Sequence, residues 1–167
     1  NIDFKNFKLK SDSLKIKKDF QLLLRENNMV LQSLKTSYKQ SYNKKKIKKF
    51  KKYSNIRVIG MGGSILGAES IYDFLKHKIK KKFIFINNLQ SKIIQNNEKK
   101  INLVISKSGN TLETISNVNI ILKNKDTNIF LTENKISYLS TLAEKLKAEV
   151  IHHNNFIGGR YSVLSEV

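Results

Sequence analysis

From Asn55 onward, short apolar runs alternate with amphipathic stretches, and this alternation restricts the fold more than any other feature of the chain. Ile56–Ile59, Phe83–Ile86, Leu103–Ile105 and Ile129–Leu131 read as buried strands, with Glu149–Ile151 a weaker fifth. Between them Ala68, Ile71, Tyr72, Leu75 and Ile79 fall on one helical face, as do Ile115, Val118 and Leu122, and Leu139, Leu142, Ala143 and Leu146. Gln90–Lys100 reads as a connector, helical if it has regular form at all. Strands separated by helices need right-handed crossovers. The expected fold class is therefore α/β: a doubly wound, mostly parallel five-stranded sheet flanked by helices. Ligands of such sheets bind beyond the carboxyl ends of the strands, so function is sought in the loops that follow them.

Residues 1–54 lack the alternation and read as an α-helical segment ahead of one domain over 55–167. Ile16, Phe20 and Leu23 recur at helical spacing, as do Leu31, Leu34, Tyr38 and Tyr42. A Lys-dense stretch from Lys44 to Lys52 keeps Ile47 and Phe50 on a thin apolar stripe, the pattern of a solvated helix face. The chain's 167 residues are 40% apolar, enough for a sizeable core. Its 32 Lys and Arg against 13 Asp and Glu give a net charge of +19, which invites a polyanionic partner. Yet 29 of the 32 are Lys, whereas Arg is the residue that reads phosphate and guanine bidentately. Lys, Asn and Ile total 69 residues, all with AT-rich codons, and proline, with GC-rich codons, is absent. Nucleotide bias thus accounts for much of the basicity, and no specific nucleic-acid partner is expected. Nor is a membrane, since no run of about 18 apolar residues occurs. With no cysteine, disulfides, thiolate metal sites and cysteine nucleophiles are excluded. No signal-peptide pattern opens the chain, which points to the cytoplasm.

Three loops carry residues suited to chemistry. The first strand runs into Gly60-Met61-Gly62-Gly63-Ser64-Ile65-Leu66-Gly67, where glycines allow a sharp turn and close approach to an anion at the following helix. A dinucleotide fingerprint would place a third Gly at Ile65 and an acid about 20 residues on, and neither is present. The closing Gly-Lys-Ser/Thr of a nucleotide P-loop is missing too. The third strand ends in Ser106-Lys107-Ser108-Gly109-Asn110-Thr111-Leu112-Glu113-Thr114. Hydroxyls, backbone N–H groups and one Lys crowded at a helix start suit a terminal phosphate monoester. Helix capping by Ser108 or Thr111 is the plainer alternative. Gly158-Gly159-Arg160-Tyr161-Ser162 follows the fifth strand and sets one of three arginines on a paired-glycine turn, where a permanent charge can stabilise an oxyanion.

In order and spacing, the Gly60–Ser64, Ser106–Thr114 and Gly159–Ser165 motifs resemble the glucose-6-phosphate isomerase family of the sugar-isomerase (SIS) superfamily. Met61 stands where the family usually has Ile, and Asn110 where Thr is more typical, which removes one possible phosphate hydroxyl. The resemblance implies a SIS-type fold in which Gly63 and Ser64 line the sugar side and Ser106, Lys107, Ser108 and Thr111 hold the phosphate. Gly109, Asn110 and Gly159 join that substrate-binding set, and Arg160 stabilises the cis-enediolate. It further implies interconversion of glucose 6-phosphate and fructose 6-phosphate, with no metal and no cofactor, in a protein that is a homodimer at full length. The family's catalytic Glu and its ring-opening His and Lys lie later in the chain than Val167. With Asn1 in place of an initiator Met, the sequence reads as an N-terminal fragment lacking the general base. Glu113 reads as structural, His152 and His153 as ordinary loop or sheet-edge residues, and His77 as solvated. The alternatives are a non-catalytic phosphosugar-binding or regulatory module of SIS type, or the isomerase domain of an amidotransferase.

Overall fold

A computed structural model describes residues 13–90, 99–123 and 125–166. The apolar runs form five parallel strands, β1 (Asn55–Ile59), β2 (Lys82–Ile86), β3 (Lys100–Ile105), β4 (Thr127–Glu133) and β5 (Glu149–His153), in the order β2-β1-β3-β4-β5. Before the sheet come α1 (Ser13–Arg25), α2 (Met29–Ser33) and α3 (Lys44–Lys48), the last continuing as a 3-10 turn over Lys49–Lys52. Among the described residues three helices lie between strands: α4 (Leu66–Leu75), α5 (Leu112–Ile121) and α6 (Tyr138–Lys145). Most of the connector expected over Gln90–Lys100 lies outside the described residues.

The strand order follows from one handedness applied twice. The chain steps from β1 through α4 to β2 in one direction, then from β3 through α5 to β4 in the other. Equal-handed crossovers therefore put α4 on one face and α5 and α6 on the opposite face. On the α4 face Val58, Ile65, Ile105 and Leu131 form the core, and Tyr72 packs its ring 4.9 Å from Phe83 and 5.7 Å from Phe85. On the other face Ile59, Val104 and Phe130 pack beneath Val118, Ile121, Leu139 and Ala143. Each large side chain so removed from water contributes roughly 1.5–3 kcal/mol.

Two expectations change. Helical spacing from Leu31 to Tyr42 gives only α2, which ends at Ser33. Tyr38 and Ser41 turn away from a helical path because both bond Glu166, on the far side of β5 in the chain. Tertiary hydrogen bonds outweigh a weak local propensity here. The second change lies within the sheet. Arg57, Asn102 and Asn128 sit side by side on β1, β3 and β4, buried among apolar neighbours. Asn102 accepts from Arg57 Nη1 at 3.4 Å and donates to Asn128 Oδ1 at 2.8 Å and Asp126 Oδ2 at 3.3 Å. The row satisfies groups that would otherwise be buried at a cost.

The segment before the sheet runs alongside β5. Ser41 donates its hydroxyl to the His152 carbonyl, and Lys49 pairs with Glu149 at 2.8 Å. The apolar stripe of α1 stands differently, with Leu14, Ile16, Phe20 and Leu24 exposed.

Candidate functional site

The strand order reverses between β1 and β3, and the loops that leave these strands flank that reversal. This is the crevice in which an open parallel sheet takes a ligand. Gly60 closes β1 by donating to the Ile86 carbonyl at 3.2 Å. A Cβ placed there would stand 2.9 Å from the Ile105 carbonyl oxygen of β3, so the backbone must be bare where the three strands end together. Gly62 turns at φ +53° into the 3-10 turn Gly62–Ser64, which delivers the chain to α4.

The loop after β3 folds its hydroxyls toward one another. Ser106 is buried, its Oγ 3.0 Å from Thr111 Oγ1, and Ser108 Oγ lies 3.5 Å from the same oxygen. Thr111 occupies the N-cap of α5, yet its side chain makes no capping bond. The first N–H groups of α5 therefore keep their donors, and the positive end of the helix dipole, at the hydroxyl cluster. Glu113 sits in the first turn of α5, partly exposed. Thr114, next in sequence, has a fully buried hydroxyl without a hydrogen-bond partner.

This loop is held from the side of β4 and α6. Gly109, at φ +67°, leaves no room for a Cβ against the Ser137 side chain. Its carbonyl accepts from Leu139 N at 3.1 Å, and Asn110 Oδ1 accepts from Tyr138 N at 2.9 Å. Asn110 is thus occupied in fastening the loop to the start of α6. Lys107 passes close to Gly158 and meets Glu133 Oε1 at 3.3 Å, while Lys135 takes the other oxygen at 2.5 Å. Burial alone would raise the Glu133 carboxyl, but hydrogen bonds and charge from Lys135 and Lys107 hold it below the usual carboxylate range. A depressed pKa stabilises the fold above the unfolded value and ceases to do so as pH falls through the folded one. Glu133→Gln is accordingly expected to lower the melting temperature at pH 7, with the gap complete above about pH 4.3 and closing below the depressed value. Equal melting of both proteins at pH 7 would contradict this pairing.

The third loop meets the first backbone to backbone. Its 3-10 turn, Gly159–Tyr161, has Arg160 at its centre, and a Cβ on Gly63 would overlap the carbonyl carbon, oxygen and Cα of Gly159. Ser162 is buried and donates to the Gly159 carbonyl at 2.7 Å and to the Gly63 carbonyl at 3.3 Å. Behind this contact Gly67 lies directly against Val163.

The structure therefore gathers Gly63, Ser64, Gly159 and Arg160 in one pair of touching turns, and Ser106, Ser108, Gly109, Asn110 and Thr111 in the adjoining loop. Lys107 bridges between them. Sequence reasoning missed Glu133, Ser137 and Glu166, which hold the loops without belonging to any motif. His153, expected as an ordinary loop or sheet-edge residue, does end the edge strand β5, but it is fully buried and bonded to Glu166. His77 is exposed, as expected. Among the described residues no helix is long and apolar enough to cross a membrane, and no group of three or more His, Cys, Asp or Glu could share a metal ion.

Known proteins resemble this arrangement at two levels. The sheet and helices resemble a hypothetical protein of Thermus thermophilus, with a TM-score of 0.65 and 18% identity over 92% of this chain and 41% of that one. They also resemble a tagatose-6-phosphate ketose/aldose isomerase from Escherichia coli, with a TM-score of 0.55 and 15% identity over 71% of this chain and 36% of that one. At such identities the likeness speaks for the fold. In sequence, the chain is 35% identical to a glucose-6-phosphate isomerase of Methanocaldococcus jannaschii, over 75% of its own length and 34% of that protein. It is 34% identical to that of Clostridium tetani, over 76% of its own length and 36% of the relative. The chain thus spans about a third of the length of these relatives. A family model for phosphoglucose isomerase matches residues 7–167, nearly the whole sequence, and the chain belongs to that family.

Proposed function

We propose that the chain is the N-terminal part of a glucose-6-phosphate isomerase and carries its phosphate-binding half-site. Ser106, Ser108 and Thr111, with the free N–H groups that open α5, take the phosphate of the sugar. Lys107 adds positive charge that it shares with Glu133. Gly63 and Ser64 border the sugar, and Arg160 supplies the cation that stabilises the charge developing when a proton moves between C1 and C2. Removing the C2 proton of the open-chain aldose leaves a cis-enediolate; a permanent cation lowers the barrier most where that negative charge appears. Gly109, Asn110 and Gly159 shape the loops around the ester. The general base and the groups that open the ring belong to the remainder of a longer protein, which acts in the cytoplasm as a homodimer.

The single observation that carries this reading is the cluster Ser106–Ser108–Thr111. Its hydroxyls turn inward over the helix start and leave the cap position without a capping bond. An ordinary cap would satisfy α5 with one side chain, and this loop does not. The full-length protein given glucose 6-phosphate is expected to form fructose 6-phosphate in a coupled assay. In that protein the Ser106→Ala/Thr111→Ala double variant is expected to raise KM by about tenfold or more, since each lost donor removes contact with the ester. No product from the wild type would reject the isomerase, and an unchanged KM in the variant would reject the phosphate site. A phosphosugar-binding module without catalysis would bind the same ester with no turnover, and the coupled assay separates the two.

A further inference from the structure

The loop that carries Arg160 leaves β5 at His153 and returns at Glu166, and these two side chains meet. His153 Nδ1 lies 3.1 Å from Glu166 Oε2, with the side chains 0% and 1% exposed. The other ring nitrogen faces the Ile157 carbonyl at 2.8 Å, inside the same loop. Glu166 Oε1 accepts from the Tyr38 hydroxyl at 3.0 Å and from the Ser41 amide at 3.2 Å. One buried carboxylate thus gathers the end of β5, the return of the loop and the N-terminal segment. Two ionisable side chains are buried this deeply only where both are paired and hydrogen-bonded, and here both ring nitrogens and both carboxylate oxygens have partners.

Between those residues the described regular structure is the single 3-10 turn Gly159–Tyr161. A loop so built takes its position from its anchors. At its crest the backbone of Gly159 rests on Gly63; at its base stands the His153–Glu166 pair. The backbone of the Ser106–Thr111 loop is fastened elsewhere, to the start of α6 through Asn110 and Gly109, and the loop meets the Arg160 loop where the Lys107 side chain passes Gly158. Loosening the base would therefore shift the Arg160 turn while leaving the phosphate loop in place.

We propose that His153 and Glu166 are positioning residues for Arg160, setting where the turn stands over the β1–β3 crevice. This rests on the isomerase reading of the site. Neither side chain touches substrate, since both are enclosed. Their effect falls on the step that Arg160 serves and spares the hold on the phosphate.

The test uses the full-length protein, with steady-state kinetics and hydrogen exchange of the 154–165 segment measured together. Glu166→Ala is expected to lower kcat by about tenfold, keep KM within about threefold and speed exchange in that segment. Glu166→Gln is expected to restore both readouts. Its amide oxygen can accept from Tyr38 and Ser41, and its N–H can donate to Nδ1 of a neutral His153 that still donates from Nε2 to Ile157. Tyr38→Phe, which removes one donor and leaves the rest, is expected to lower kcat by about twofold to threefold with a small rise in exchange. Wild-type kcat in Glu166→Ala, KM rising in step with the kcat loss, or Glu166→Gln as impaired as Glu166→Ala would each overturn the proposal. Should Glu166→Ala fail to fold, unchanged kcat and exchange in Tyr38→Phe would overturn it. A wild type without turnover defeats the isomerase reading instead, and exchange in the variants then reports by itself whether the pair holds the loop.

Discussion

Gly63→Ala in the full-length protein is expected to lower kcat/KM by about a hundredfold, the largest effect of any single methyl in this region. The added Cβ overlaps backbone atoms of Gly159, and backbone has no rotamer into which it can retreat. The two turns must separate, and the 3.3 Å bond from Ser162 to the Gly63 carbonyl goes with them. Overpacking of this kind costs about 1–3 kcal/mol of stability as well. Two comparisons isolate the cause. Gly62 faces open space at φ +53°, so Gly62→Asn keeps a residue that tolerates the left-handed region and is expected to retain stability within about 1 kcal/mol. Gly67→Ala overlaps both Cγ2 and Cβ of Val163, so Gly67→Ala/Val163→Ala, which removes only the first of these contacts, is expected to recover part of the loss. Kinetics of Gly63→Ala resembling those of Gly62→Asn would refute the close contact.

Asn102→Leu is expected to destabilise the protein by about 2–4 kcal/mol, read as a fall in melting temperature. The replacement is similar in volume and apolar, so no cavity explains the loss. It strands the Arg57 guanidinium and Asn128 Oδ1, and takes from Asp126 Oδ2 one of two donors, the Lys123 amide remaining. Burial already depresses the Arg57 pKa, with Asp126 acting in the opposite direction, so this cation depends on its polar neighbours. A change below about 0.5 kcal/mol would mean that the row is dispensable.

The same polar row marks where sequence reasoning stopped short. The third and fourth strands were read from Leu103 and Ile129, immediately after Asn102 and Asn128, because a buried strand announces itself by unbroken apolar side chains. The strands in fact begin at Lys100 and Thr127. Asn residues that satisfy each other across strands cannot be told from a loop until the register is known. Parallel order and the three loops were legible because they rest on local patterns: apolar runs, glycines at strand ends, hydroxyls at a helix start. Tyr38 was misread as helical for the opposite reason. Its partner Glu166 lies at the other end of the chain, and no local spacing encodes that contact. Glu133 escaped notice because a lone carboxylate at the end of a strand carries no signal until Lys107 and Lys135 are seen converging on it.

The path of residues 38–49 along β5 bears on how such a molecule stays dispersed. Among the described residues β5 is the last strand of the sheet and pairs only with β4, so its outer row of N–H and C=O groups would offer a template to any extended chain. Ser41 takes up the His152 carbonyl on that row, Ile47 and Tyr42 line the cleft beside it, and Lys49 sets a charge against Glu149. A bulky, cationic neighbour of this kind discourages the addition of a further strand, which is the first step of sheet-to-sheet association. The N-terminal segment thus covers part of the sheet's open edge, where a further strand would otherwise add.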